Sequence, residues 1–195
     1  MRALPLLLLA FLATPAAAGN ASTYTDFDLK ACKQLTPETS GDEGEGSGTF
    51  ECKGHAGIPV YFAEGDLRSL VSFGKGGDEA CAFHQTFSGF NSVGNKIEWR
   101  LKNGKPIATI LRWTVSYDSE DSSKTKTWLV VTSLRPGNTC HVGYVEGAYP
   151  NANEEARKLA DTYVAGFACT TAKPVYIANA GTPTENIASD DVCRE

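Results

Sequence analysis

The side chains that could act as nucleophile, base or soft metal ligand are few: three histidines, six cysteines and scattered serines. No two of His55, His84 and His141 stand three or four residues apart; His55 and His84 each follow a cysteine by three (Cys52, Cys81), but each such pair lacks a third His or Cys nearby in sequence with which to hold an ion. His84 is the residue to inspect. It sits in FGKGGDEACAFHQTFSGFN, with Asp78 and Glu79 before it and Ser88 after it. A serine nucleophile needs a base within hydrogen-bond reach, and Ser88 with His84 could form that pair. No G-x-S-x-G elbow surrounds Ser88 or any other serine, and the helix-like spacing of Phe83, Phe87 and Phe90 reads better as packing. Gly74-Lys75-Gly76-Gly77 fails as a phosphate loop because Lys75 is followed by Gly76, where Ser or Thr is required. Asp42, Glu43 and Glu45 lack the alternating calcium ladder and read as solvated charge. No catalytic residue, metal or cofactor is assigned, and the expectation leans away from an enzyme.

A binding surface is the other candidate. Glu98 and Arg100 lie two apart on a predicted strand and, with Arg112, could form a polar patch; a charged strand face that limits edge pairing is the plainer account. Trp99, Trp113 and Trp128 are expected to split between two faces and to be mainly core. Were Trp113 exposed beside Ile107 and Leu111, with Arg100 near, those four residues would be a binding patch.

The opening of the chain sets the redox environment of its cysteines. Arg2, the apolar run Leu4 to Leu12 and the small residues Ala16, Ala17 and Ala18 have the pattern of a secretory signal peptide over residues 1–18. The expected location is periplasmic or secreted, where Cys32, Cys52, Cys81, Cys140, Cys169 and Cys193 would pair. There is no C-x-x-C, which removes the spacing signal for thioredoxin-like exchange or zinc ribbons. Six cysteines allow fifteen pairings, and the sequence does not choose among them. A first assignment joins Cys32 with Cys52 across a short loop and Cys140 with Cys169 as a strand-to-helix staple, leaving Cys81 with Cys193. The formal charge of −5 disfavours nucleic acid and anionic membranes as partners, and no second apolar segment is long enough to span a bilayer.

The elements that must position these residues are mostly strands. Residues 36–48 (TPETSGDEGEGSG) cannot bury enough surface to offset ordering and read as a flexible acidic loop. Thr49 to Cys52, Ile58 to Ala63 and Leu67 to Phe73 have strand character. In KIEWRLK-NG-KPIATILRW, Asn103-Gly104 suits a two-residue turn that faces Lys102 with Lys105, Leu101 with Pro106, Trp99 with Ala108 and Ile97 with Ile110. Apolar residues also fall on the other face (Ile107, Leu111, Trp113), so the second strand is covered twice or a bulge shifts its phase. Asp118 to Lys126 reads as a hairpin loop. Two further strands, Thr127 to Leu134 and Thr139 to Glu146, flank a type II turn at Arg135-Pro136-Gly137-Asn138, and their register sets His141 across from Thr132. One helix follows: Asn151 and Glu154 have capping spacing, and Ala152, Ala156, Leu159, Ala160, Tyr163, Val164 and Phe167 form its apolar stripe. The expectation is α+β: one domain over residues 19–173, a mostly antiparallel sheet with a C-terminal amphipathic helix packed on it and disulfide staples. Residues 174–195 read as a tail.

The strings FECKGHAGIPVYFAEGDLRSLVSFG, KIEWRL, ATILRW, LVVTSLRPGNTCHVGYVEG and NEEARKLAD resemble those of a group of small exported bacterial proteins of uncharacterised activity. The resemblance spans about Tyr24 to Cys169 and implies an exported home without assigning a role to any residue. The functional expectation is a non-catalytic binding or interaction module of the cell envelope, with an envelope protein or a small ligand as partner. The alternatives are a periplasmic hydrolase with dispersed catalytic residues, marked by a cleft joining His84 to Ser88, and a small-ligand carrier, marked by an apolar pocket beneath the helix.

Overall fold

The computed structural model describes residues 19–36, 47–135, 139–184, 187, 188 and 193. The predicted signal peptide, most of the acidic loop and the predicted turn residues Pro136, Gly137 and Asn138 lie outside the described residues. The strands are β1 (Asn20–Asp26), β2 (Lys33–Gln34), β3 (Ser47–Lys53), β4 (Pro59–Gly65), β5 (Arg68–Phe73), β6 (Asn91–Lys102), β7 (Lys105–Ser116), β8 (Thr125–Ser133), β9 (His141–Glu146) and β10 (Val175–Ile177). A one-turn helix α1 (Cys81–His84) precedes β6, and the main helix α2 (Ala152–Tyr163) follows β9.

The strands form two sheets. A large one runs β1-β6-β7-β8-β9-β10, antiparallel except for the β9–β10 pair, and a small antiparallel one runs β2-β3-β4-β5. The small sheet covers one face of the large one: Val60, Phe62, Val71 and Phe73 meet Ile97, Trp99, Leu111, Trp113 and Val130 in one core. α2 covers the other face, where Ala156, Leu159 and Ala160 meet Ala108, Ile110, Val131 and Val145. This three-layer arrangement explains the doubly apolar strands β7 and β8, which have a packed neighbour on each side. Close docking of α2 depends on Gly143, where a Cβ would stand 2.5 Å from Leu159 Cδ1 and 2.8 Å from the Val175 carbonyl.

Asn103 and Gly104 both take positive φ, and Lys102 faces Lys105 with Leu101 opposite Pro106, as the turn predicts. Beyond that point the predicted register is corrected. Ile107 is an extra residue, so Trp99 faces Thr109 and Ile97 faces Leu111. The bulge turns Ala108 and Ile110 toward α2 and Leu111 and Trp113 toward the small sheet. It also corrects the split of the tryptophans, because Trp99, Trp113 and Trp128 share one core.

Two helix details are corrected too. Asn151 does not cap α2 with its side chain; it adopts a left-handed conformation, and its carbonyl accepts the Glu154 and Glu155 amides at 2.8 and 3.1 Å. Tyr163 belongs to the outer surface instead of the apolar stripe. The spacing of Phe83, Phe87 and Phe90 is not helical: α1 ends at His84, and Phe90 is exposed while the other two are buried.

All six cysteines pair in the first-assigned pattern: Cys32–Cys52, Cys81–Cys193 and Cys140–Cys169. Part of the predicted tail is therefore built in. Val175–Ile177 extends the large sheet, Ala188 bridges to Phe87, and Cys193 is bonded to Cys81. No helix among the described residues is long and apolar enough to cross a membrane.

Candidate functional site

The predicted patch does not exist as a surface. Leu111 and Trp113 are each 1% exposed, Ile107 is half-buried, and Arg100 points under α2. There its guanidinium makes two bonds to the Asp161 carboxylate, at 2.7 and 2.6 Å. Glu98, expected on a solvated strand face, is also covered by α2. It accepts Arg157 Nε at 2.6 Å and the Ser22 hydroxyl at 2.5 Å. The Arg100 bond counteracts burial and holds the Asp161 carboxyl below its ordinary range. These two ion pairs fasten the helix to the sheet.

Of the pair His84 and Ser88, Ser88 lines the groove described below and His84 is not among its lining residues. The His84 side chain lies on the surface with its ring 5.8 Å from that of Phe83, while the Ser88 hydroxyl donates to the Ile187 carbonyl at 3.3 Å. His141 is buried, bonded to Thr132 at 2.9 Å in the expected register, and burial pushes its pKa down to about 3. A neutral interior imidazole of this kind is a structural residue. The sulfurs of Cys140, Cys169 and Cys193 lie within 4.8 Å of one another, yet each is in a disulfide and offers no thiolate.

A groove elsewhere gathers the residues that could bind. It encloses about 720 Å³ at the edge of the two-sheet core and opens to solvent. Its inner side is apolar, made by Phe87, Val115, Trp128 and Ile187. Phe87 anchors it, with ring centroids 5.4 Å from Trp113, 6.4 Å from Trp128 and 5.5 Å from Tyr144. Asn91 shapes this lip. Its Oδ1 accepts the Ser69 amide at 3.0 Å, and its Nδ2 donates to the Gly89 carbonyl at 2.9 Å and more weakly to that of Phe87. Gly89 is needed where this segment crosses the end of β7, since a Cβ there would fall 2.2 Å from the Ser116 carbonyl oxygen.

The mouth carries two exposed aromatic rings, each paired with a cation. The Arg68 guanidinium carbon is 5.5 Å from the centroid of Phe90, and Lys126 Nζ is 5.6 Å from that of Tyr117. The two cations differ in how much charge they have to spare. Lys126 is bonded to the buried Glu146 carboxylate at 3.2 Å and to the Thr182 hydroxyl at 3.1 Å. Burial pushes the Glu146 carboxyl up, but bonds from the Asn179 backbone, Lys126 and Thr182 outweigh it and leave its pKa lowered, so Lys126 is committed. Arg68 donates to the Ser88 carbonyl at 3.0 Å and pairs with Asp66, whose side chain is 82% exposed. Such a surface pair is weak, which leaves Arg68 able to meet another anion. Hydroxyls of Ser116, Ser119, Ser122 and Thr182 complete the rim. Asp118 lies among them, held below its ordinary pKa by Lys124.

This site lies on the small-sheet side, and a pocket beneath the helix was the position expected for a carrier. Sequence reasoning reached Ser88 only as a candidate nucleophile beside His84 and Phe87 and Phe90 only as packing, and it missed Arg68, Tyr117, Lys126 and Ile187. The one available signal was Tyr117 at the foot of a polar hairpin loop, an aromatic with no apolar neighbour in sequence. Comparison of the chain with protein-family models, curated proteins and solved structures found no match.

Proposed function

We propose that this is an exported, non-catalytic binding module of the cell envelope, whose groove takes a small, largely apolar ligand bearing one anionic group. The carrying observation is the pairing of an apolar floor (Phe87, Val115, Trp128, Ile187) with two exposed rings at the mouth and one cation not committed to a buried partner, Arg68. Apolar walls with a few placed polar groups are the usual chemistry of small-ligand sites. Binding is favoured over hydrolysis because the lining has no histidine and Ser88 gives its hydroxyl to a backbone carbonyl. Export is supported by the leader-like opening and by the use of all six cysteines in disulfides.

Anilinonaphthalene sulfonate, an apolar body with one anion, is the probe for this site. Titrated calorimetrically into the oxidised chain, it should bind once per molecule. Phe90→Ala with Tyr117→Ala should weaken it by about tenfold or more, at about 0.5–1.5 kcal/mol per aromatic contact. Arg68→Gln should weaken it by several-fold. Absence of saturable binding, or affinities indifferent to all three substitutions, would overturn the reading.

A further inference from the structure

We propose that Glu146, buried behind the groove wall, sets the charge selectivity of the site by cancelling Lys126, so that ligands with one anionic group are favoured over those with two. The inference rests on the groove being the binding site and deepens that reading. Glu146 ends β9 opposite Trp128 of the groove floor and is not itself a lining residue. Two residues that do line the groove reach back to it. The Lys126 ammonium donates to its Oε1 at 3.2 Å, and the Thr182 hydroxyl lies 3.0 Å from each carboxylate oxygen. Lys126 also donates to the Thr182 hydroxyl at 3.1 Å, which closes a triangle of the three side chains. The Asn179 backbone amide and its Nδ2 donate to Oε2 at 2.9 and 3.0 Å.

The two cations at the mouth differ in the burial of their carboxylate partners. The Asp66 side chain beside Arg68 is 82% exposed, so water can take its place when Arg68 turns to a ligand anion. The Glu146 side chain beside Lys126 is 5% exposed, and water cannot replace the ammonium there. Burial raises the Glu146 pKa, but the bonds from Asn179, Lys126 and Thr182 leave it lowered, so the group is ionised near neutral pH. A second anion on a ligand therefore meets a pair with no net charge. To bond Lys126 it would have to draw the ammonium away and leave a carboxylate buried without its counter-ion, which is costly. Asp118, the carboxylate among the lining residues, is paired with Lys124 at 2.6 Å and does not alter this balance. An amide of the same size in place of the Glu146 carboxylate would be neutral and would leave Lys126 free to meet a second anion.

The test uses two probes with one apolar body, naphthalene-2-sulfonate and naphthalene-2,6-disulfonate, each displacing anilinonaphthalene sulfonate from the oxidised chain. The parent should hold the monosulfonate more tightly. Glu146→Gln should move the ratio of the two dissociation constants about tenfold toward the disulfonate, the effect of one uncancelled charge close to the second anion. Adding Lys126→Met should return that ratio to within about twofold of the parent's. A Glu146→Gln variant that weakens both probes alike, with the ratio unmoved, has only loosened segment 179–182 and overturns the proposal. A ratio that Lys126→Met fails to restore also overturns it, as does a parent that prefers the disulfonate. That last comparison needs no variant, and it decides should Glu146→Gln fail to fold. If the parent does not bind anilinonaphthalene sulfonate, the site reading falls and this inference with it; saturable binding with an unmoved ratio overturns this inference alone.

Discussion

Replacing Arg157 with Met tests whether α2 is fastened to the sheet by charge as well as by its apolar stripe. The Glu98 side chain is 8% exposed and that of Arg157 33%. The pair makes contacts at 2.6 and 3.3 Å, and Arg157 also donates to the Tyr24 hydroxyl at 3.1 Å. Removing one partner of a fully buried pair costs about 3–5 kcal/mol, because the remaining charge is left without compensation. Arg157 keeps some contact with water, and Glu98 retains the Ser22 hydroxyl and the nearby Arg100 cation, which reduces the expected loss to about 2–3 kcal/mol. Glu98→Met leaves the more exposed partner behind and should cost about 1 kcal/mol. The double substitution removes both charges and should cost about 1 kcal/mol or less, since apolar replacement of a buried pair is often neutral. The assay is urea unfolding of the oxidised protein followed by fluorescence, because Trp99, Trp113 and Trp128 are all buried. Midpoints are compared at constant slope. Arg157→Met within about 0.5 kcal/mol of the parent, or a double variant that sums the two single losses, would refute this account of the helix–sheet junction.

His141 and Asn91 give two further expectations. Burial lowers the His141 pKa from 6.5 to about 3, so the unfolded chain takes up a proton that the fold refuses as pH drops below 6.5. Stability should be flat in this term above that value and should fall below it at about 1.4 kcal/mol per pH unit. Read above about pH 5, where carboxylates contribute little, the slope should flatten in His141→Gln; an equal slope in both proteins would contradict it. Asn91→Ala removes the bonds to Ser69, Phe87 and Gly89 that shape the groove lip, and leaves buried backbone groups unmet. A loss of about 2–3 kcal/mol in denaturant unfolding is expected, with weaker probe binding, and no change in either measurement would refute the role given to this side chain.

Local features were legible in the sequence because a few adjacent residues decide them. Asn103-Gly104 fixed the hairpin turn through its tolerance of positive φ, and Ala156, Leu159 and Ala160 marked the buried stripe of α2. The bulge at Ile107 was open to either reading, since it depends on the demands of two layers. Asn151 has the residue type of an N-cap, but its left-handed backbone also suits Asn, and sequence alone cannot separate the two roles. The partners of Glu98 and Arg100 lie 59 and 61 residues away on α2, so both looked like solvated strand charge. The groove was hidden for the same reason. Its walls come from β5, the Phe87–Phe90 segment, the β7–β8 hairpin and the C-terminal residues Thr182, Pro183 and Ile187, and no spacing rule links Arg68 to Ile187.

The most direct test of the groove as a binding site is to map amide chemical-shift changes on the oxidised chain during titration with anilinonaphthalene sulfonate. Saturable shifts should cluster at Arg68, Ser88, Phe90, Tyr117, Lys126 and Thr182, leaving the outer face of α2 unmoved. Shifts scattered over the surface, or gathered along α2 with those six amides still, would contradict it.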